Sequence, residues 1–476
     1  GKLIFMGDAP RYIDAAAEAA GPAIELYNDS RVQRITFSRA ALLAALEPYR
    51  VIDIRNKNGS ITDNLVHQLR RDGDDMWLFI CPGKDPENPD ISRRQDVKIT
   101  IKGLWTAKLY DTLTGEIHPQ AHSHAAGNTV ISAGLYLHDS LLLRLSPARE
   151  PVAVRPESPK VKPAVRAIEV PPVVHYTLGE PNVLLLDMAY YALDDDDFSA
   201  SPEEILRADT VCRRRLGWTP WSGSADQPWY LPADPPEHRI RLRFSITSDI
   251  DYPDPLLALE TPEVAGISFN GQKVDNAPCG WYIDKSIKTL RLPPVRQGNN
   301  ILEIEYPFGK RTATEPCYLL GKFGVEVRGR VARIVQPAET LAFESITNQT
   351  LPFYSGVLTY HFEVETRGGE LEVTIPQYRG AVLTASVDNG EPVVIAFSPY
   401  KANFGTLPAG RHRLDINLYV PRTNTCGPLH CADEQLSYPG PGAWRTSGDS
   451  WCYEYRLKRE GIIVTPRIHE IIYPNN

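Results

Sequence analysis

Strict alternation of apolar and polar residues, repeated in short runs along most of the chain, is what most limits the folds open to it. Residues 239–246, 288–292, 301–306, 360–364, 369–375, 382–388 and 412–419 each put every second side chain on one apolar face, the period of a half-buried strand. Turn chemistry divides these runs. Asn270-Gly271 favours a tight primed hairpin turn, and residues 297–300, Gln-Gly-Asn-Asn, supply another. With 41 prolines and 33 glycines the chain has little room for long helices. The expected class is mainly β, several antiparallel β-sandwiches preceded by a short α/β segment.

A chain of 476 residues is too long for one core. Residues 1–60 read as part of an α/β domain. An apolar strand run at 2–7 is followed by alanine-rich helical sequence at 12–20 and a better helix at 38–47 with Ser38 as N-cap, then by another strand run at 51–54. So few units cannot close a parallel sheet or a barrel, whose strands need both faces covered. A start at Gly1 within an apolar run is expected of a processed or truncated chain. Residues 61–147 alternate as a small antiparallel sandwich, with runs at 65–69, 76–80, 97–101, 109–115, 129–132 and 140–145. A proline-rich linker is expected at 148–174. A sandwich at 175–330 then carries a helical insertion at 201–216, opened by the capping box at 201–204 and followed by Trp218, Trp221 and Trp229. A second sandwich fills 331–476, with an Asn389-Gly390 turn and an alternating run at 451–457.

Charge narrows the partners. A net charge of -8 and a pI near 5.8 argue against nucleic acid or an anionic membrane, and no run of about twenty apolar residues offers a span. Carbohydrate, a neutral partner, fits better. The seven cysteines are scattered and read as free thiols, although Cys426 with Cys431 or Cys452 is a candidate close pair. Unpaired thiols, with no signal-peptide pattern, favour the cytoplasm. No cofactor is expected. The acidic run 194–197 is a calcium candidate set against a solvated loop, because it lacks the alternating order of a dedicated loop. His118, His122 and His124 have a metal-like spacing without supporting carboxylates, so no metal site is expected there.

Sugar recognition needs an aromatic platform flanked by groups that hydrogen-bond hydroxyls. Trp281 and Tyr282 beside Asp284 and Lys285 meet that description, as do Trp444, Arg445, Trp451 and Tyr453 near His430 and Asp433. The competing reading fills the core or the seam between sandwiches with these rings. Glycosidic chemistry needs two carboxylates across one bond, and linear spacing singles out no pair. Asp284, Glu315, Asp433, Glu434, Asp449 and Glu454 lie beside aromatics, where turn capping or solvation is the ordinary role.

Several stretches resemble a known family. Residues 280–285, Gly-Trp-Tyr-Ile-Asp-Lys, together with 307–321, 351–360 and 444–454, resemble the C-terminal half of large bacterial glycoside hydrolases. The relatives are α-L-rhamnosidase-like enzymes and proteins with a family-two-type sugar-binding domain. Residues 1–7 and 109–115 are similar to the stretch that follows the catalytic barrel there. The resemblance implies jelly-roll, galactose-binding-like sandwiches and an upstream (β/α) barrel, domain or chain, that holds the catalytic carboxylates. It therefore carries no catalytic residue onto this sequence. It implies an accessory part of a glycosidase, whose alternative is a stand-alone carbohydrate-binding or scaffold protein.

Overall fold

The computed structural model describes residues 2–16, 21–85, 88, 91–151, 153–154, 163–221, 231, 235–433 and 440–474. Trp229 and Glu434 lie outside them. The chain divides into two compact units, 1–160 and 161–476.

The first unit opens with strands Ile4–Met6 and Gln33–Ile35, paired in parallel with helix Gly21–Asn28 between them. The helix expected over 12–20 is replaced by a turn in which Ile13 and Ala16 bridge, and 17–20 fall outside the described residues. Helix Arg39–Leu46 is capped as expected, the Ser38 hydroxyl accepting from Ala41 N–H at 3.1 Å. Strand Ile52–Asn56 leaves the α/β pattern and pairs antiparallel with Gln95–Lys102 in a four-stranded sheet. That sheet packs on a five-stranded one built around Asp75–Pro82 and Leu141–Pro147, through Leu78, Ile80, Ile99, Ile101, Ile131, Leu143 and Leu145. The alternation at 109–115 stops at Tyr110, where Asp111 caps a turn through Leu113 and Thr114 N–H.

The second unit holds two sandwiches. In one, a five-stranded sheet (Asn182–Leu186, Cys317–Gly321, Leu256–Glu260, Asp284–Arg291, Gly280–Tyr282) faces an eight-stranded sheet centred on His238–Ser248 and Gly298–Phe308. Their inward positions, among them Leu185, Leu257, Leu319, Leu242, Phe244 and Ile304, make one core. Asn270 and Gly271 both have positive φ, 50° and 77°, as a primed turn requires. In the other sandwich Gly356–Thr366 pairs with Gly410–Val420 over a core of Leu358, Tyr360, Val373, Leu414 and Ile416. Its tight turn falls one residue early, with positive φ at Asp388 and Asn389 rather than at Gly390.

Two segments are placed differently from the sequence reading. Ala164–Ile168, within the expected linker, is a strand paired with Arg467–Ile472, and Val173–Leu178 pairs with Gly356–Thr366. The second sandwich thus begins before the first and closes the chain after it. Short valine runs between prolines read as extended linker, because their partners lie far along the chain. Helix Ile205–Arg215 also starts later than the box at 201–204 suggests. Glu203–Glu204 is first used as a strand against Met188 and Ala189, so Glu204 becomes the cap.

Candidate functional site

Helix Ile205–Arg215 and the loop after strand Gly410–Val420 enclose a cavity of about 220 Å³ within the second unit. Asp187, Glu204, Glu315, His430, Trp444 and Trp451 line it. Asp187 follows the buried strand Asn182–Leu186 and accepts from Tyr455 Oη–H at 2.6 Å. Its other oxygen lies 3.2 Å from His430 Nε2, while His430 Nδ1 faces the Cys452 carbonyl at 2.9 Å. Burial pulls the His430 pKa down, but the Asp187 carboxylate and the Cys452 carbonyl outweigh it and hold the imidazole above its ordinary value. The His430 ring stacks on Trp451 at 5.1 Å, and the Arg207 guanidinium sits 4.3 Å from that indole.

Two carboxyls in this cavity are shifted toward neutral pH. Burial pushes Glu204 up to about 7, with Leu206 and Arg207 N–H groups pulling against it and Asp187 adding to it. Burial and the nearby Glu260 likewise push Glu315 up to about 7, Arg445 opposing them. Their roles differ. Glu204 spends both oxygens on the helix N-terminus, at 3.1 and 3.0 Å. Among the described residues the Glu315 side chain makes no hydrogen bond.

The cavity therefore assembles His430, Trp444 and Trp451 from the sequence candidates. Tyr453 stands at its edge, donating to Glu203 at 3.1 Å, and Arg445 buries an unpartnered Nη1. Asp433 is exposed. Glu315, which the sequence sets beside aromatics, joins them, and Asp187 and Glu204 complete the group with no local pattern tying those two to the aromatics. The run 451–457 forms no continuous strand: Trp451 bridges Cys431, Cys452 N–H bonds His430, and Arg456 N–H bonds Leu429. Its alternation reports burial against the first sandwich. Removing the Tyr455 hydroxyl tests this stitching, since the buried Asp187 carboxylate then loses a donor. Tyr455→Phe is expected to destabilise the second unit by about 1–3 kcal/mol, read from urea denaturation midpoints.

The other candidates separate. Trp281 is 58% exposed on the edge strand Gly280–Tyr282, with Lys285 exposed nearby. Tyr282 is 4% exposed and packs on Tyr318 with ring centroids 5.6 Å apart; burial pushes its hydroxyl up to about 12. As neighbours on one strand they point to opposite faces, and the pairing register shifts between them, with Ile283 next at φ 64°. Asp284 caps the turn through Ser286 N and Oγ, both at 2.8 Å. The acidic run is taken up by protein side chains, Asp194 by His238, Asp195 by Arg239 and Asp196 by Arg215. His122 and His124 face the backbone carbonyls of Gln120 and Trp105. All seven cysteines are free thiols. Among the described residues no group of three His, Cys, Asp or Glu is placed to hold a metal, and no helix is long and apolar enough to cross a membrane.

No protein-family model matches the sequence, and neither does a curated protein. Glycoside hydrolases stand among the solved structures to which the chain is similar. A rhamnosidase from Novosphingobium sp. PP1Y aligns over 98% of this chain and 31% of its own, at 12% identity and a TM-score of 0.41. An α-L-rhamnosidase from Streptomyces avermitilis aligns over 90% and 34%, at 12% identity and 0.23. A β-D-mannosidase from Dictyoglomus thermophilum aligns over 50% and 31%, at 14% and 0.20. The chain spans about a third of the length of these proteins.

Proposed function

We propose that this chain is the accessory, non-catalytic β-sandwich portion of a glycoside hydrolase acting on plant or microbial oligosaccharides, with α-L-rhamnosidase as the nearest activity, and that its catalytic barrel is a separate domain or chain. One observation carries the reading. Residues 2–16 and 21–51 form a piece of parallel α/β structure whose apolar side chains are left outside: Phe37 is 83% exposed, and Leu3, Leu26, Leu43, Leu46 and Tyr49 are exposed as well. Helix Gly21–Asn28 buries none of its residues and helix Arg39–Leu46 only Ala45. A two-stranded parallel sheet is not stable by itself, and an apolar surface of this kind marks a contact. The layer that would cover it is α/β, as the resemblance to barrel-linked glycosidases implies.

The alternative, a stand-alone carbohydrate-binding or scaffold protein, draws on the exposed Trp281 with Lys285 beside it. Either way carbohydrate is the partner. The purified chain is expected to hydrolyse no aryl rhamnoside or other aryl glycoside, and Phe37→Ser with Leu43→Ser to lower its binding of a hydrophobic dye. Turnover abolished by a single Asp or Glu substitution within the chain would overturn the reading.

A further inference from the structure

Where the two sandwiches of the second unit meet, a groove of about 670 Å³ runs along their seam. Tyr176 comes from one sandwich, and Tyr252 and Phe323 from the other. The Tyr176 hydroxyl donates to the Ala338 carbonyl at 2.9 Å, and the Tyr252 hydroxyl accepts from Lys322 N–H at 2.9 Å, so both rings are pinned. Tyr252 meets Phe323 edge-on at 5.3 Å. This close approach depends on Gly321, where a side chain would stand 2.6 Å from Phe323 and 2.7 Å from Tyr252. The aromatic wall is rigid before any ligand arrives.

Acceptors predominate around that wall. Asn182 is 1% exposed, and its Nδ2 donates to the Phe323 and Thr350 carbonyls at 2.8 and 3.0 Å, but its Oδ1 has no donor. Asp254 and Glu339 line the groove and are exposed. Among the described residues neither carboxylate has a hydrogen-bond or ion-pair partner. Glu180 is neutralised by Arg422, held at 2.7 Å through both oxygens. Lys322 brings one ammonium against the two unpaired carboxylates.

We infer that the seam groove is a binding site for a neutral oligosaccharide, separate from the Trp281 surface. Ring C–H faces pack on the tyrosines, and hydroxyls donate to Asp254 and Glu339. The two unpaired carboxylates outnumber the single Lys322 ammonium, so a uronate carboxylate meets net like charge there and is disfavoured. The inference rests on carbohydrate as the partner and deepens it by naming the sugar class and the place.

Calorimetric titration of the Trp281→Ala chain, with a panel of neutral di- to tetrasaccharides and a matched oligogalacturonate, tests it. At least one neutral oligosaccharide should bind and the oligogalacturonate should not. Asp254→Ala and Glu339→Ala, both at exposed positions that folding does not require, should each weaken binding about ten- to a hundredfold, the loss of one hydrogen bond to a charged group. The inference is overturned if no neutral sugar binds, if the uronate binds more tightly, or if neither substitution changes the affinity. A chain without turnover and without groove binding keeps the accessory reading and loses this one. Turnover of an aryl glycoside removes the accessory reading whatever the groove binds.

Discussion

Replacing Arg213 with methionine is expected to destabilise the second unit by on the order of 3–5 kcal/mol, because it strips the partner from a buried charge. Arg213 is 1% exposed on helix Ile205–Arg215 and bonds Asp209 Oδ2 at 2.7 Å; the second Asp209 oxygen has no donor. Its guanidinium also donates to the Lys310 carbonyl at 3.1 Å and to that of Thr312, and it lies 4.5 Å from the Trp221 ring and 5.3 Å from Phe308. One side chain thereby ties the helix to the loop after strand Gly298–Phe308. Methionine fills part of the volume but leaves Asp209 charged in an apolar setting. The double variant Asp209→Leu with Arg213→Met removes both charges and should recover at least half of the loss, since apolar replacement of a buried pair is often close to neutral. Denaturant midpoints measure both. A single variant within about 1 kcal/mol of the parent, the size of an exposed ion pair, would show that the pair is not holding the helix.

That helix illustrates what local sequence conveys and what it does not. Its existence follows from composition and periodicity, but its first turn does not, because strand pairing with Met188 claims Glu203 and Glu204 first. The long hairpin His238–Ser248 with Gly298–Phe308 was legible because each strand alternates by itself and its core positions, Leu242 and Ile304 among them, need no knowledge of the partner. The alternation at 451–457 was equally clear and led to no strand, since period two records burial and not hydrogen bonding. The cavity was legible in part. His430, Trp444 and Trp451 lie close together in sequence, whereas Asp187 stands 243 residues from His430. Glu204 reads locally as the last residue of a capping box and is instead the cap itself, and its place beside Asp187 depends on the fold of the whole unit. The seam groove has no sequence signal, because Tyr176 and Tyr252 are ordinary strand and loop residues until two sandwiches meet.

Stability should fall as pH rises from about 5 to 8, and Glu460→Gln should flatten that fall. Glu460 is 3% exposed, and neither of its oxygens has a hydrogen bond. The neighbouring Asn424 amide is spent on both backbone groups of Lys458, at 2.7 and 2.8 Å. Burial consequently pushes Glu460 up to about 8, only partly offset by Asn424. The sign follows from proton binding. Between the unfolded carboxyl pKa of about 4.3 and the folded value, the native chain holds a proton that the unfolded chain has released, so each pH unit costs about 1.4 kcal/mol of stability. Below that window the acid is neutral in both states and costs nothing extra; above about 8 the loss levels off, on the order of 4–5 kcal/mol in all. Glutamine cannot ionise. Its buried amide carries the same desolvation cost at every pH, so the absolute stabilities of parent and variant are less informative than their slopes. Urea denaturation at half-unit steps from pH 5 to 8.5 should give profiles that diverge by about 1.4 kcal/mol per unit, with the variant gaining on the parent as pH rises. Parallel profiles would mean that Glu460 ionises in the native fold as readily as in the unfolded chain, and that its burial is relieved by a donor or by water.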